Sequence, residues 1–470
     1  MNTPVWLSVV ALLSLLALPG CKADDTAEND TSDVSSTEAD TSDIDTGEVD
    51  TDGTDAVETS APRVVLIIAD DFGIDTLSSY SDLYEPADGA REFPLLPVID
   101  GICDDGVRFD AAWATPTCTP TRGSVLTGAH GFRTGLDGVG GAFQIDPTIQ
   151  TLPRILQVLD GFEGANIGKW HLGNSEEIGG AMTPNLSGWD HYSGSLANVD
   201  NYVDWERVEN GVASTQTTYA TTVQVDDAIA WWTQRPVDEP SLLWLAFNAP
   251  HVPFHEPPAG LHQQAILRSV GQRYDAAVEA MDTELARLLA VVDDDTLVIF
   301  LGDNGTPGRV IRADHPTDRA KGSLYQGGVH VPLCVRGPTV GTGVHTGLVS
   351  SVDLYATIAE AMGLEQLPDG AGPDSVSLMP ALTHPSEPSL RATVYTGQSG
   401  SGQPDGGFTG GYSLRDAQYK WIGNEDGSEE LFDLSADPYE TVDLSDDPDM
   451  SAVRDRLRDE ALLLRGETDR

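Results

Sequence analysis

Two pairs of polar residues, rich in aspartate, follow apolar runs in this 470-residue chain. Asp70 and Asp71 follow the run RVVLIIA, and Asp303 and Asn304 follow the run TLVIFL. Such runs predict strands buried in a parallel sheet, and open α/β sheets bind ligands at the carboxyl ends of their strands. Three carboxylates and an amide oxygen there favour a hard cation such as Ca²⁺ over zinc. Either pair alone also fits a helix N-cap or a turn, but the two together predict a metal site.

A cysteine in a segment that predicts the start of a helix lies between these two pairs in the chain. Cys118 opens the segment CTPTRGSVLTG, in which Pro120 suits the first turn of a helix. The thiol would then lie at a helix N-terminus, where backbone amides and the helix dipole favour an anion. A bare cysteine in this position predicts a thiolate nucleophile of lowered pKa.

This segment resembles the maturation signature of the formylglycine-dependent (type I) sulfatases, a family of the alkaline phosphatase superfamily. The signature is Cys-x-Pro-x-Arg followed by Leu-Thr-Gly, and the resemblance covers residues 63–445 of this chain. Four further segments resemble motifs of the same family in the same order: GKWHLG at 168–173, NAPHVPF at 248–254, KGSLYQGG at 321–328 and ELFDL at 430–434. Together the motifs imply a large alkaline-phosphatase-like domain and hydrolysis of sulfate monoesters.

The resemblance also implies which side chains would act. Cys118 would be oxidised to formylglycine by a maturation enzyme, and the hydrated aldehyde would attack the sulfur of an aryl or carbohydrate sulfate. The metal ligands, around one Ca²⁺, would be Asp70, Asp71, Cys118, Asp303 and Asn304. The catalytic residues would be Cys118, Arg122, Lys169, His171, His251 and Lys321.

Each catalytic residue receives a role from the same resemblance. Arg122 and Lys169 would hold the formylglycine hydrate and offset developing charge. Lys321 and His251 would contact the sulfate, and one of them would protonate the leaving alcohol. His171 would deprotonate the second hydroxyl of the hydrate and so expel the sulfate.

The chain departs from many members of that family at two positions after the lysine motif. Gln326 and His330 stand where those relatives carry a glutamate and an arginine. We expect both side chains to support the loop rather than to take part in the reaction.

Other functions share part of this pattern. Phosphonate monoester and phosphodiester hydrolases of the same superfamily share the fold and even the formylglycine motif. A catalytically inactive surface binding protein would keep the fold, but the complete set of catalytic side chains argues against it. A hydrolase with a plain cysteine nucleophile leaves the metal carboxylates without a purpose.

Strand and helix patterns alternate over most of the chain. Buried strand runs occupy 63–69, 241–247, 296–301 and 329–335. Helical patterns occupy 151–159, 217–232, 261–292 and 351–362. The alternation predicts an α/β domain at 62–385, with a mostly parallel central sheet flanked by helices. Short strands at 419–422 and 430–434 and a helix at 450–465 predict a small α+β subdomain at 386–470.

The chain is strongly acidic, with 75 Asp and Glu against 26 Lys and Arg and a formal net charge of −49. This balance excludes a basic nucleic-acid-binding surface. Five basic residues nevertheless crowd together: Arg309, Arg312, His315, Arg319 and Lys321. They predict either a subsite for a second anion on the substrate or surface pairing with nearby aspartates.

Several residues have two interpretations at this stage. Trp189, Tyr192, Tyr202 and Trp205, together with the glycine-rich segment near residue 400, fit either walls of a substrate pocket or ordinary packing.

Two cysteines outside the motifs are also undecided. Cys103 and Cys334 lie in apolar contexts and fit either buried thiols or, in an exported protein, a disulfide.

The first 61 residues predict export. An apolar run at 5–18 ends in Leu-Pro-Gly-Cys, which resembles a bacterial lipoprotein cleavage box and predicts a signal peptide at 1–20. Cys21 would then carry the lipid anchor, and Lys22 after it favours the outer membrane; an ordinary signal peptide is the alternative. Residues 21–61 are rich in Asp, Glu, Ser and Thr and predict a disordered, acidic tether.

Overall fold

A computed structural model describes residues 61–84, 91–146, 148–312, 316–400 and 410–467. The expected signal peptide, the anchor at Cys21 and nearly all of the tether lie outside these residues, as does His315. Within the described ranges, no helix is both long and apolar enough to span a bilayer.

A ten-stranded sheet lies at the centre of the fold. Its strands are β1 Arg63–Ala69, β2 Val107–Trp113, β3 Glu163–Lys169, β4 His191–Ser195, β5 Trp205–Glu209, β6 Val212–Gln216, β7 Ser241–Ala246, β8 Thr296–Gly302, β9 Leu333–Arg336 and β10 Gly343–Ser350. Their spatial order is β10-β2-β9-β8-β1-β7-β3-β4-β5-β6. The strands from β8 to β4 are parallel, while β9 and the β5–β6 hairpin pair antiparallel with their neighbours.

Helices cover both faces of this sheet. They are α1 Pro97–Asp104, α2 Cys118–Thr127, α3 Gly131–Thr134, α4 Leu152–Leu156, α5 Thr183–Leu186, α6 Ala220–Trp232, α7 Val270–Leu289, α8 Gln326–Val329, α9 Leu354–Ala361, α10 Met379–Thr383 and α11 Ser451–Arg465. Because successive strand residues point to opposite faces, Val64 and Leu66 of β1 join the core under α2, α4 and α9. Val65 and Ile67 join the core under α1, α6 and α7. The predicted α/β fold with a mostly parallel sheet is confirmed.

A second, antiparallel sheet follows near the C-terminus. Its strands are β11 Val394–Gln398, β12 Gly411–Arg415, β13 Tyr419–Asn424 and β14 Glu429–Asp433, paired in chain order. Leu414 and Trp421 of this sheet pack with Leu457 and Ala461 of α11 in a small core of their own. The sequence correctly predicts two of the strands and the final helix.

Two elements differ from the sequence prediction. The run at 329–335 contains Pro332, which cannot donate a backbone hydrogen bond, and β9 begins only at Leu333. The strand runs antiparallel to β8, not parallel as the sequence predicts. The helix predicted from residue 261 begins at Val270. Ser269 and Gln272 form a capping box there, which satisfies the free amides of the first turn and fixes the helix start.

A disulfide joins Cys103 on α1 to Cys334 on β9, across 231 residues of chain. Both residues are buried. This bond decides between the two interpretations that the sequence allows for these cysteines. It ties a helix on one face of the sheet to the antiparallel strand that follows the lysine motif.

Replacing Cys103 and Cys334 together with alanine should lower the free energy of unfolding by about 2–5 kcal/mol, because the closed loop restricts the unfolded chain. Chemical denaturation of the variant beside the oxidised wild type measures the difference. The reduced wild type is the matched control and should unfold at nearly the same denaturant concentration as the variant. Coincident curves for all three proteins would contradict a stabilising disulfide.

Candidate active site

The carboxyl ends of four neighbouring strands bring the predicted residues together. Asp70 directly follows β1, Asp303 directly follows β8, and Lys169 ends β3. The loop after β7 leads to His251. The Asp303 amide donates to the carbonyl of Ala69 at 3.0 Å, which holds the two acidic turns side by side.

The acidic groups form a buried cluster that fits a cation. Ligand atoms of Asp70, Cys118 and Asp303 lie within 4.8 Å of one another. Two oxygens in the cluster, Asp70 Oδ1 and Asn304 Oδ1, are buried and accept no hydrogen bond from the described residues. Burial, and then the charge of Asp70, raise the pKa of Asp303 to about 7. Carboxylates at this density are costly without a cation, and the all-oxygen aspartate and asparagine set suits a hard one.

Asp71 connects the acidic cluster to two of the predicted sulfate-contacting residues. Its backbone has a positive φ of 67°, a strained conformation of the kind that functional sites retain. Its carboxylate forms an ion pair with Lys321 and accepts a hydrogen bond from Asn304 Nδ2 at 3.0 Å. His251 Nε2 lies 3.9 Å from the other oxygen. Asp71 therefore holds Lys321 and His251 beside the cluster.

Cys118 is the first residue of α2 and is only 2% exposed. Its Sγ lies 3.1 Å from His171 Nδ1 and 3.6 Å from Lys169 Nζ. Burial, with a smaller contribution from Asp70, outweighs Lys169 and raises the pKa of the Cys118 thiol. The prediction of a lowered thiol pKa, made from the helix N-terminus alone, is therefore wrong. Burial and the neighbouring carboxylates oppose ionisation of the thiol.

Arg122 and Lys169 are buried and bind the acidic cluster directly. Arg122 donates to Asp303 Oδ2 through Nε at 3.1 Å and through a terminal nitrogen at 2.8 Å. Its other terminal nitrogen donates to the carbonyl of Lys169 at 2.8 Å. The Lys169 ammonium forms an ion pair with Asp70. These contacts place two fixed positive charges next to Cys118.

The two histidines differ in what their rings can do. Burial and then Lys169 lower the pKa of His171 well below its ordinary value, so the ring is neutral and able to accept a proton. Burial and then Lys321 also lower the pKa of His251. His251 Nδ1 lies 2.9 Å from the carbonyl of Val252, which can only accept, so Nδ1 carries the proton and Nε2 faces Asp71.

The loop that carries Lys321 rests on the C-terminal sheet, a feature that the sequence motifs did not reveal. Gln398 of β11 donates to the carbonyl of Gly322 at 2.7 Å. The Glu440 carboxylate accepts from the Gln326 amide at 2.6 Å and from Lys420 Nζ at 2.5 Å. Glu440 and Lys420 are both fully buried.

The two departures from the family pattern occupy supporting positions. Gln326 Oε1 accepts a hydrogen bond from Trp113 Nε1 at 2.9 Å. His330 Nε2 lies 2.8 Å from the carbonyl of Asp110. Both contacts attach the segment after Lys321 to β2, which fits a supporting role for these two side chains.

Glu440→Gln should lower kcat by about 10- to 100-fold, because a small displacement of a positioned catalytic group is enough for such a loss. The neutral amide breaks the buried pair with Lys420 and loosens the loop that carries Lys321. Breaking a buried pair also destabilises, so activity is measured well below the unfolding temperature.

The matched control for this variant is Asp353→Asn. Asp353 is fully buried and pairs with Arg391, a contact that does not include the Lys321 loop. The control should lower stability similarly and leave kcat nearly unchanged. An equal loss of kcat in both variants would show that Glu440 acts only through global stability.

Other residues with two interpretations turn out to be structural. Trp189, Tyr192, Tyr202 and Trp205 are all buried in the two main cores, so ordinary packing is the correct interpretation. Residue 400 is described, but residues 401–409 after it are not.

Two described members of the basic cluster, Arg312 and Arg319, are held by other partners. Arg312 is 2% exposed and pairs with Asp275 on α7. The Arg319 guanidinium lies 4.4 Å from the ring centroid of Tyr325 and donates to the carbonyl of Glu440. Buried partners already occupy both side chains, which the spacing along the chain did not show.

Comparisons with known proteins show which proteins this chain resembles. The Sulfatase family model matches residues 62–364. N-acetylgalactosamine-6-sulfatase of Homo sapiens is 28% identical over 370 residues, covering 68% of this chain and 66% of that protein. Arylsulfatase J of Mus musculus is 25% identical over 338 residues, covering 64% of this chain and 52% of that protein. The solved structure of Ps i-CgsB with k-i-k-neocarrahexaose has a TM-score of 0.73 at 22% identity, covering 86% and 93% of the two chains.

This chain belongs to the Sulfatase family, because the family model spans more than half of its length. Its fold is that of the sulfatases of known structure. The chain covers less than two thirds of the length of the two curated relatives named above.

Proposed function

We propose that this protein hydrolyses sulfate monoesters of aryl or carbohydrate alcohols to the alcohol and inorganic sulfate. The observation that carries the proposal is the placement of Cys118. Its Sγ lies within 3.6 Å of both Lys169 and His171, beside a buried carboxylate cluster with unpaired oxygens. Attack on a sulfate ester requires a nucleophile, positively charged side chains and a bound metal ion. This pocket brings together a nucleophile, such side chains and a site for the ion.

The proposal includes formylglycine at Cys118 and one Ca²⁺. Asp70, Asp71, Asp303 and Asn304 would hold the ion together with the modified Cys118. When bound, Ca²⁺ supplies positive charge for the sulfate oxygens and lowers the pKa of a coordinated hydroxyl. Formylglycine supplies a hydrated aldehyde with one hydroxyl to attack sulfur and a second to release the sulfate. In the structure, Cys118 Sγ stands in for the hydrate oxygens.

The protein side chains would bind the substrate and move the protons. Lys169 already contacts Cys118 Sγ at 3.6 Å, and Arg122 holds Lys169 through its backbone carbonyl, so the two would position the nucleophile together. Lys321 and, in its protonated form, His251 would bind the sulfate oxygens beside Asp71, and one of them would give a proton to the leaving alcohol. Neutral His171, whose Nδ1 lies 3.1 Å from Cys118 Sγ, would act as the base that accepts the proton of the second hydroxyl during sulfate release.

Hydrolysis of a phosphonate monoester or phosphodiester is the second candidate function. Initial rates of 4-nitrophenyl sulfate and bis-4-nitrophenyl phosphate hydrolysis, measured side by side on the metal-loaded enzyme, separate the two. The proposal expects a kcat/KM higher for the sulfate by at least about tenfold, one factor of ten being 1.36 kcal/mol of activation free energy. A preference for the phosphodiester would overturn it, and no turnover of either ester would leave the binding-protein alternative.

We also propose that the protein is exported and anchored in the bacterial outer membrane through Cys21, from the apolar run and the Leu-Pro-Gly-Cys segment. Cys21→Ser should move the protein from the membrane fraction to the soluble exported fraction, because a serine cannot carry the lipid. Immunoblots of fractionated cells measure the shift. An unchanged membrane-bound fraction would contradict the anchor.

A further inference from the structure

We infer that this enzyme acts on sulfate esters whose organic part carries no second negative charge, such as a monosulfated and otherwise neutral sugar. The inference rests on the proposed sulfatase function and concerns the pocket for the alcohol. It arises from a cavity of about 230 Å³ beside the nucleophile and from the charges of the chain around it.

The cavity touches the catalytic centre directly. Thr119 and His171 form one wall, and the hydroxyl of Thr119 donates to the carbonyl of His171 at 2.9 Å. Thr119 follows Cys118 in α2, and His171 Nδ1 lies 3.1 Å from Cys118 Sγ. An ester whose sulfur lies against Cys118 therefore has its organic part within reach of this cavity.

Two loop segments build the remaining walls and are tied to each other. Gln144 accepts a hydrogen bond from the Ser175 amide at 3.0 Å and donates to the carbonyl of Gly141 at 2.8 Å. The Ile145 amide donates to the carbonyl of Leu172 at 2.9 Å. These bonds hold the cavity in shape before any substrate enters.

The lining is neutral and mixed in polarity. Phe143 and Leu196 supply apolar surface, and Asn174 and Ser175 supply polar groups. None of the described residues that line the cavity is Asp, Glu, Lys or Arg. An apolar surface with a few amide and hydroxyl groups suits a neutral ring with hydroxyls.

The two loop segments that form most of the cavity carry only negative charge, and the buried cations Arg122 and Lys169, near Thr119 and His171 in the chain, are already paired with Asp303 and Asp70. Segments 134–153 and 172–206 contain two and six acidic residues, and neither contains Lys or Arg. Residues 1–61 carry a charge of −13, so residues 62–470 still carry −36 of the total of −49. A second sulfate or a carboxylate on the substrate would meet this field with no cation in the lining to offset it.

The basic cluster along the chain does not supply that cation. Arg312 is buried against Asp275, and Arg319 is held by Glu440. Arg309 is exposed but is not part of the cavity lining.

The test compares a hexose 6-sulfate with the same hexose carrying a 4,6-disulfate. Affinities are measured by calorimetry on Ca²⁺-loaded Cys118→Ala protein, and kcat/KM is measured by sulfate release from the wild type. We expect the monosulfate to bind at least about tenfold more tightly at low salt. Raising the ionic strength from about 0.02 M to about 0.5 M should narrow the difference in affinity between the two esters, since salt screens the repulsion between the second sulfate and the acidic protein.

Three variants sharpen the comparison. Asn174→Arg places a cation in the cavity lining and should improve binding of the disulfate selectively. Val158→Arg makes the same change in charge at a residue that is 74% exposed and outside the lining. This control should not improve binding of the disulfate. Arg309→Ala should affect the two esters equally. A selective loss of disulfate binding in Arg309→Ala would reveal a second-anion subsite and overturn the inference.

The remaining outcomes separate this inference from the proposed function. Equal or tighter binding of the disulfate by the parent protein at low salt overturns the inference, even if both esters are hydrolysed. A clear preference in binding without any hydrolysis by the wild type contradicts the sulfatase function and supports only the charge preference of the cavity. Failure to bind either ester contradicts both.

Discussion

Cys118→Ala should lower the rate of sulfate-ester hydrolysis by about 10⁴- to 10⁶-fold, the scale of loss when a hydrolase loses its nucleophile. The substitution removes a single sulfur atom from a site that is 2% exposed, next to His171 and Lys169. The surrounding ion pairs do not depend on that atom, so the fold should persist, and the four Asp and Asn ligands of the metal remain in place. Initial rates at saturating metal, with circular dichroism as the check on folding, measure the effect.

Cys118→Ser is the informative companion to the alanine variant. Serine places a hydroxyl at this position. The serine variant should nevertheless be as inactive as the alanine variant, unless the expression host oxidises the serine. A serine variant that works without oxidation would show that a simple hydroxyl nucleophile is sufficient. An alanine variant with activity within tenfold of the wild type would exclude Cys118 as the origin of the nucleophile.

Removal of the metal should reduce turnover to background, and added Ca²⁺ should restore it. Without a cation, the carboxylates of Asp70, Asp71 and Asp303 crowd into one buried site, where burial and Asp70 raise the pKa of Asp303 to about 7. Binding should also stabilise the fold by about 2.7 kcal/mol at a concentration 100 times the Kd. The readouts are the thermal unfolding midpoint and calorimetric titration of the chelated protein, alongside activity.

Asp70→Asn should weaken Ca²⁺ binding strongly, because it removes a charge from the ligand set. Asp110→Asn is the matched control, since Asp110 is half-buried on β2 and pairs with Arg108 away from the cluster. The control should titrate like the wild type. Full activity of the chelated wild type, or identical titrations of the two variants, would show that the cluster does not hold a catalytic metal.

The sequence was sufficient to predict which residues meet at the site, because the family motifs and the predicted strand ends point to the same residues. Asp70 and Asp303 follow neighbouring parallel strands, and parallel strands bring their carboxyl ends to one edge. The motifs then add Cys118, Lys169 and His171, which the structure places in contact.

Contacts between distant segments were not predictable in this way. Glu440 has no local pattern that marks it, yet it holds the loop of Lys321 through Gln326. Arg312 and Lys321 belong to the same basic cluster in the sequence, but only the fold shows that Arg312 forms an ion pair with Asp275. Charge spacing along a chain predicts a cluster in space only where the backbone keeps the side chains on one surface.

The state of Cys118 in active enzyme is the measurement that tests the mechanism most directly. A tryptic peptide covering Cys118, taken from fully active protein, should carry an aldehyde that reacts with a hydrazide, and its amount should scale with specific activity across preparations. Thiol alkylation of the intact enzyme should leave activity unchanged. Fully active protein that contains only unmodified Cys118 would contradict the account and would require attack by a thiolate or by metal-activated water instead.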